Sequence, residues 1–214
     1  MMPIKDRDLL SVQEARDLVA AAKAAQKVLG AMGQAEVDAL VDAVARAAAG
    51  SAERLAKMAH EETGFGKWRD KTLKNLFAGQ TVTEAMRGLR TVGVLREDER
   101  RRLIEVAVPV GVIAGLIPST NPTSTVIFKT LIALKAGNAI IFSPHPNARE
   151  CIQETVRVLR NLRAEARVAP QQWMNHATVR VDDAEMKRTL QDALPQVSGL
   201  CRIREIAILP MSAP

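Results

Sequence analysis

Residues 116–146, LIPSTNPTSTVIFKTLIALKAGNAIIFSPHP, carry the fold. At their centre, Asn121-Pro122 reads as a helix start. Asn is a favoured N-cap, and Pro suits the first helical position, where a missing N–H costs nothing. The spacing predicts a helix over 122–136 that buries Val126, Ile127, Thr130, Leu131 and Leu134, with Gly137 as its stop. Upstream, 110–117 is almost wholly apolar, broken only by the small residues Gly111 and Gly115, as in a strand buried on both faces of a parallel sheet. Downstream, 139–142 reads as a second buried strand, closed by Ser143-Pro144-His145-Pro146. Strand, helix and strand at this length make a βαβ unit, for which a right-handed crossover is expected.

Working outward, the first ninety residues read as a helical layer. Ser11 and Glu14 have the spacing of a capping box, which predicts a helix from Ser11 to about Gly30 with Val12, Ala15, Leu18, Val19 and Ala22 on one face. A second helix, 34–49, places Val37, Leu40, Val41, Val44 and Ala45 on a stripe, and Gly50 ends it. Ser51 opens a third that stops near Gly64, and a fourth covers 68–86. Residues 102–108 alternate loosely, as a strand with one wet face, and Pro109 marks a junction or an edge. A further helix is expected over 148–160. Beyond Arg160 the periodicity decays, with a short helix at 186–194 and a short strand at 203–209 the only candidates. The expected class is α/β, a helical layer followed by a partial Rossmann-like parallel sheet. Its expected parts are 1–100 (helical), 101–160 (strand plus βαβ unit) and 161–214 (divergent tail).

Composition narrows the function. Of 214 residues, 47% are hydrophobic, enough for a buried core, and 25% are charged, ordinary for a soluble protein. A net charge of +6 suggests nucleic acid, but the densest basic cluster, REDERRR at 96–102, mixes acids with arginines and contains no aromatic residue. With aromatics at 3% and no Tyr there is little to stack on bases, so a solvated face is favoured and a nucleic-acid module ranks far behind. Weak attraction to phosphate-bearing small molecules stays open. Cys151 and Cys201 have no metal-ligand or CxxC spacing, so no metal and no disulfide framework is expected. The N-terminal residues lack a signal-peptide core, and no apolar run reaches the ~18 residues of a membrane span, so a cytoplasmic chain is expected.

In an open parallel sheet, ligands gather at the carboxyl ends of the strands, where both turns of the opening stretch lie. Thr120 and Asn121 stand at a helix N-terminus, where free N–H groups and the dipole favour negative charge. Asn121 is either a plain N-cap or a donor to a developing oxyanion. Ser143 and His145 supply a hydroxyl and an imidazole in a turn stiffened by Pro144 and Pro146, or are ordinary turn residues. The run PVGVIAG is not a GxGxxG fingerprint, and its glycines alone are weak evidence for a dinucleotide. Lys129 and Lys135 are expected to point to solvent.

The run from Pro109 to Pro146, with TNPTSTVIFK and SPHP at its turns, closely resembles the NAD-dependent, coenzyme-A-acylating aldehyde dehydrogenases. The helices LVAAAKAAQKVL and LAKMAHEETGFGKWRDKTLKNLFA and the segment TVGVLRED are also similar to that family, so the likeness covers roughly residues 10–160. The resemblance implies a subunit with a Rossmann-like cofactor domain, a catalytic domain and an oligomerising arm, and a homo-oligomer. The implied reaction begins with attack of a cysteine thiolate on a small aldehyde; hydride then passes to NAD, and coenzyme A takes the acyl group. Asn121 matches the family's oxyanion-stabilising Asn, a role compatible with capping. Ser143-Pro144-His145-Pro146 falls where related enzymes meet the adenosine ribose, so Thr120, Ser143, Pro144 and His145 are candidates for holding the cofactor.

The resemblance stops short of the chemistry. No segment here is similar to the family's nucleophile motif or its glycine-rich TGG segment. Cys151 lies on the helix after SPHP, where a small buried or half-buried residue is expected. Cys201, in GLCRIRE, has arginines nearby that could lower a thiol pKa but matches no nucleophile motif. The expectation is an N-terminal portion without a catalytic cysteine, inactive alone. Its tail after residue 160 is expected to be weakly ordered and to come from a reading-frame change near 161 or from a gene remnant. The alternative is a noncatalytic fragment that pairs with full-length subunits through its helices and the 101–108 strand.

Overall fold

The computed structural model describes residues 7–160, so Cys201, the tail after 160 and its candidate helix and strand lie outside the described residues. Four helices open the chain: α1 (Arg7–Leu29), α2 (Gln34–Gly50), α3 (Ala52–Thr63) and α4 (Trp68–Leu76). A single π-helical turn over Phe77–Thr81 leads into α5 (Val82–Ala85). The expected capping box is not a helix start, because Ser11 lies inside α1, which already runs from Arg7. The apolar face of α1 is as expected: Ala22, Ala25 and Leu29 are buried, and Val12, Ala15, Leu18 and Val19 are half-buried.

The stripe of α2 is buried throughout at Val37, Leu40, Val41, Val44 and Ala45. Gly64 closes α3 in the left-handed conformation at φ +68°, with its N–H donating to the His60 carbonyl. In the π turn, a Cβ on Gly79 would stand 3.3 Å from the Ala48 Cβ, so glycine is what allows this turn to close on α2.

The expected strand at 102–108 is half of a hairpin. β1 (Gly93–Asp98) pairs antiparallel with β2 (Leu103–Ala107), from Gly93 opposite Ala107 to Asp98 opposite Leu103. The first strand was illegible because the turn carries none of the usual punctuation. Arg102 takes a positive φ of 53° where Gly or Asn would normally stand, and the Asp98 carboxylate accepts from the Arg101 N–H at 2.9 Å. REDERRR forms the end of β1 and this turn, with Arg96 paired to Glu105 at 2.7 Å on the surface.

The βαβ unit is present. β3 (Val112–Ile117) and β4 (Ala139–Pro144) are parallel neighbours, joined by α6 (Pro122–Lys135). On α6, Val126, Ile127, Thr130, Leu131 and Leu134 are all buried, as the spacing predicts. Ile127 and Leu131 are fully enclosed, which contributes on the order of 2 kcal/mol each from apolar burial. Gly137, at φ +71°, ends the helix, its N–H donating to the Leu134 carbonyl while the Asn138 N–H reaches Ala133. The Asn138 side chain then accepts from the Gly111 N–H at 2.9 Å and so ties the two strand entrances together.

Two expectations fail here. β3 is not buried on both faces: Ala114 and Leu116 are exposed, and β4 is its one strand neighbour among the described residues. Lys135 does not point to solvent. It is 4% exposed, and its ammonium lies 2.5 Å from the Asp38 carboxylate of α2. Lys129 is half-buried and donates to the Leu116 carbonyl at 2.7 Å.

After β4 a 3₁₀ turn (Pro146–Ala148) feeds α7 (Arg149–Arg160), which buries Cys151, Ile152, Thr155, Val156 and Leu159. Helix α1 packs on β3 and β4, while α6 packs on both strands and on α2 and α7. One core runs through these layers from Leu29 and Val37 to Ile127, Phe142 and Leu159. No helix among the described residues is long and apolar enough to cross a membrane.

Candidate functional site

The strand register sets the site. Ile117 is opposite Pro144 at the carboxyl ends of β3 and β4, so the turns that follow, 118–121 and 145–148, emerge side by side. This is where a parallel sheet offers helix N-termini and free backbone donors to a ligand.

The first turn is held by α4. Lys71, 5% exposed, donates from Nζ to the Thr120 carbonyl at 2.7 Å. Burial pushes its ammonium below the ordinary lysine pKa, and the nearby Lys74 charge adds to the shift. One helical turn on, Asn75 is fully buried; its amide donates to the Ala52 carbonyl and its oxygen accepts from the Thr123 hydroxyl, both at 2.9 Å. The residues on both sides of Asn121, Thr120 through its carbonyl and Thr123 through its hydroxyl, are therefore held by buried groups of α4.

Asn121 stands at the N-cap position of α6, but its side chain makes no capping hydrogen bond. Instead Oδ1 accepts from the Lys74 ammonium at 2.9 Å. An ammonium only donates, so the amide oxygen must face Lys74 and the NH₂ is left to donate elsewhere. Thr120 is exposed beside it.

The second turn differs. Ser143 and Pro144 belong to β4 and are buried, with Ser143 at 8% exposure, so the strand runs two residues further than the sequence suggested. His145 is half-buried and accepts from the Asn147 N–H at Nδ1, 3.1 Å away, which leaves Nε2 as the ring's donor. The N-terminus of α7 is filled by Glu62 of α3. One carboxylate oxygen accepts from the Glu150 N–H and the other from the Cys151 N–H, each at 2.8 Å. Cys151 is fully buried, and burial together with the Glu62 carboxylate pushes its thiol pKa far up, the opposite of what a nucleophile needs. Its expected place as a small buried residue is where the structure puts it.

The sequence reading missed Lys71, Lys74, Asn75, Thr123 and Glu62. A signal existed in α4, WRDKTLKNL, whose buried positions are Lys71 and Asn75 rather than apolar residues. A helix with polar groups on its inward stripe has polar partners there. A small cavity of about 50 Å³, lined by Asp38, Thr83, Met86 and Lys135 among others, lies by the other end of α6 and takes no part in this site.

Comparison with known proteins agrees with this architecture. Residues 3–171 match the aldehyde dehydrogenase family. The bifunctional aldehyde-alcohol dehydrogenase AdhE of Escherichia coli is 41% identical over 179 residues, which cover 82% of this chain and 20% of that protein. An acetylating acetaldehyde dehydrogenase of Bilophila wadsworthia is 40% identical over 152 residues, 70% of this chain and 30% of its own length. The crystal structure of an acetylating aldehyde dehydrogenase from Geobacillus thermoglucosidasius superposes with a TM-score of 0.79 at 48% identity, covering 89% of this chain and 42% of that one. The chain thus spans between about a fifth and two-fifths of these relatives. With residues 3–171 matched by the family and a solved member superposing at 48% identity over 89% of the chain, the chain belongs to the aldehyde dehydrogenase family.

Proposed function

We propose that the chain forms the N-terminal part of the nucleotide-holding layer of an NAD-dependent, coenzyme-A-acylating aldehyde dehydrogenase. In this reading residues 1–100 supply the helical support and 101–160 the sheet. Asn121 is the oxyanion donor, and Thr120, Ser143, Pro144 and His145 line the cofactor side. The observation that carries the reading is the Asn121 amide, whose oxygen is taken by Lys74 so that its NH₂ is left to donate at the strand ends. When bound, NAD would accept hydride and coenzyme A would take the acyl group, in a cytoplasmic enzyme acting on small aldehydes. The chain's own residues place a neutral donor where negative charge develops on the aldehyde oxygen and hold its backbone still. Neither Cys151 nor Cys201 sits in a nucleophile motif, so the chain alone is proposed not to turn over.

Titration of the labelled chain with NAD, followed by NMR, tests the reading. Signals from Thr120, Asn121, Ser143 and His145 are expected to move together, and NAD that moves none of them sinks it. NADH formation from aldehyde, coenzyme A and NAD is expected to be absent. Turnover that vanishes in Cys201→Ala would instead make the chain a complete enzyme.

A second reading, a noncatalytic fragment that pairs with full-length subunits, has its own support. The β1–β2 hairpin and the segment after it expose Ile104, Val108 and Val110 at 56–60%. Co-purification with a full-length dehydrogenase, lost in Ile104→Lys, is its test.

A further inference from the structure

Away from the strand ends, the cavity of about 50 Å³ at the far end of α6 is lined by Thr83 of α5, Asp38 of α2 and Lys135. Thr83 is 7% exposed, and its hydroxyl is buried with no hydrogen-bond partner among the described residues. That sets it apart within this chain. Five helical threonines, Thr63, Thr72, Thr125, Thr130 and Thr155, donate to the carbonyl four residues back at 2.6–3.0 Å. Thr83 follows the π turn over Phe77–Thr81, which takes the carbonyl four residues back out of its α-helical place. The Lys135 ammonium, also buried, has three N–H groups, of which the Asp38 carboxylate accepts one. A buried hydroxyl and a buried ammonium with donors to spare cost free energy unless something in the cavity between them answers both.

Charge and size decide what that is. Lys135 and Arg87 bring positive charge to the walls, and Asp38 and Asp42 bring as much negative charge, so neither a metal cation nor an anion is favoured. A held water takes up about 10–15 Å³ of such a volume, which leaves room for about three. We infer that the cavity is a hydration site, in which held waters accept from the Lys135 ammonium, bond to the Thr83 hydroxyl and reach the Asp38 carboxylate. They join α2, α5 and the end of α6 where no direct hydrogen bond links Thr83 to either neighbour. Waters fixed in this way are part of the packing, and they do not open the Lys135–Asp38 pair to bulk solvent.

Oxygen-17 relaxation dispersion of the solvent counts waters that stay on the protein as it tumbles, undisturbed by proton exchange. The full chain is expected to hold such waters, and fewer of them in Thr83→Val and in Lys135→Met, each of which removes one anchor. Thr83→Val should also lower the urea midpoint, because the hydroxyl it removes is bonded through water. If that hydroxyl were unpartnered, a methyl of the same size in its place would raise the midpoint instead. A dispersion that neither variant changes, or a midpoint that rises in Thr83→Val, overturns the inference, the cavity then being dry or filled by freely exchanging solvent. Should Thr83→Val not fold, the dispersion of Lys135→Met decides, since methionine fills nearly the same volume as lysine.

Discussion

The Lys74 ammonium lies 2.9 Å from Oδ1 of Asn121, so a residue of α4 sets which way the amide at the start of α6 points. Without that contact the Asn121 side chain is free to rotate and cap its own helix, turning its oxygen toward the α6 N–H groups.

Lys74→Met is therefore expected to change the state of Asn121 more than the stability of the fold. Lys74 is exposed, so loss of its contact should cost less than about 1 kcal/mol in urea denaturation. The Asn121 side-chain NH₂ resonances, in contrast, should shift and broaden by NMR, and Lys74→Arg should restore much of the original spectrum. Unchanged amide signals in Lys74→Met would mean that Lys74 does not orient the group.

Asn75 presents the opposite balance. It is fully buried and bridges the Ala52 carbonyl to the Thr123 hydroxyl, so its removal takes a buried hydrogen bond from each. Asn75→Ala should cost roughly 2–4 kcal/mol in chemical denaturation, and Thr123→Val, which orphans one acceptor, about 1–2 kcal/mol. A cost below about 0.5 kcal/mol for Asn75→Ala would show that the 118–123 turn does not depend on α4.

Much of this arrangement was legible in the sequence, and the reasons separate what was read from what was missed. The α6 stripe from Val126 to Leu134 follows the helical period and faces a core, so periodicity alone located it. Gly137 was legible because its positive φ is one that few other residues adopt. Arg102 takes a similar conformation with no compositional mark, and the hairpin was lost with it. Lys135 was misplaced because its burial depends on Asp38, which is 97 residues away along the chain. Glu62 and Cys151 meet across 89 residues in the same way. Partners that distant leave no local pattern, and a buried charge is recognisable only once its counter-charge is in place.

Alkaline pH should expose two opposed contributions. The Cys151 thiol has its folded pKa raised above the ordinary 9.0, so the unfolded chain loses that proton first and stability falls as pH rises past that value. Lys71 has its folded pKa lowered below 10.5, so the folded chain loses that proton first and stability rises as pH climbs toward that value. The thiol shift is the large one, so urea midpoints should fall as pH rises past about 9, where the thiol of the unfolded chain ionises. Cys151→Ala should remove that fall. Lys71→Met should steepen it, and a fall unchanged in Cys151→Ala would assign it to other groups.

The Lys135–Asp38 pair allows a test of whether burial or pairing governs the far end of α6. Lys135 has a 5% exposed side chain, whereas that of Asp38 is 40% exposed, so the two halves of the pair are not equivalent. Asp38→Ala strips the partner from an enclosed ammonium, which is strongly destabilising, on the order of 2–4 kcal/mol. Lys135→Met fills nearly the same volume without a charge and leaves Asp38 in contact with water and with the Gln34 amide at 2.8 Å, so its cost should be under about 1 kcal/mol. The double variant should then be close to Lys135→Met alone, because removing the ammonium also removes the reason Asp38 matters. Thermal unfolding of the three variants reads this directly; an Asp38→Ala no worse than Lys135→Met would mean that water reaches the Lys135 ammonium and the pair is not enclosed.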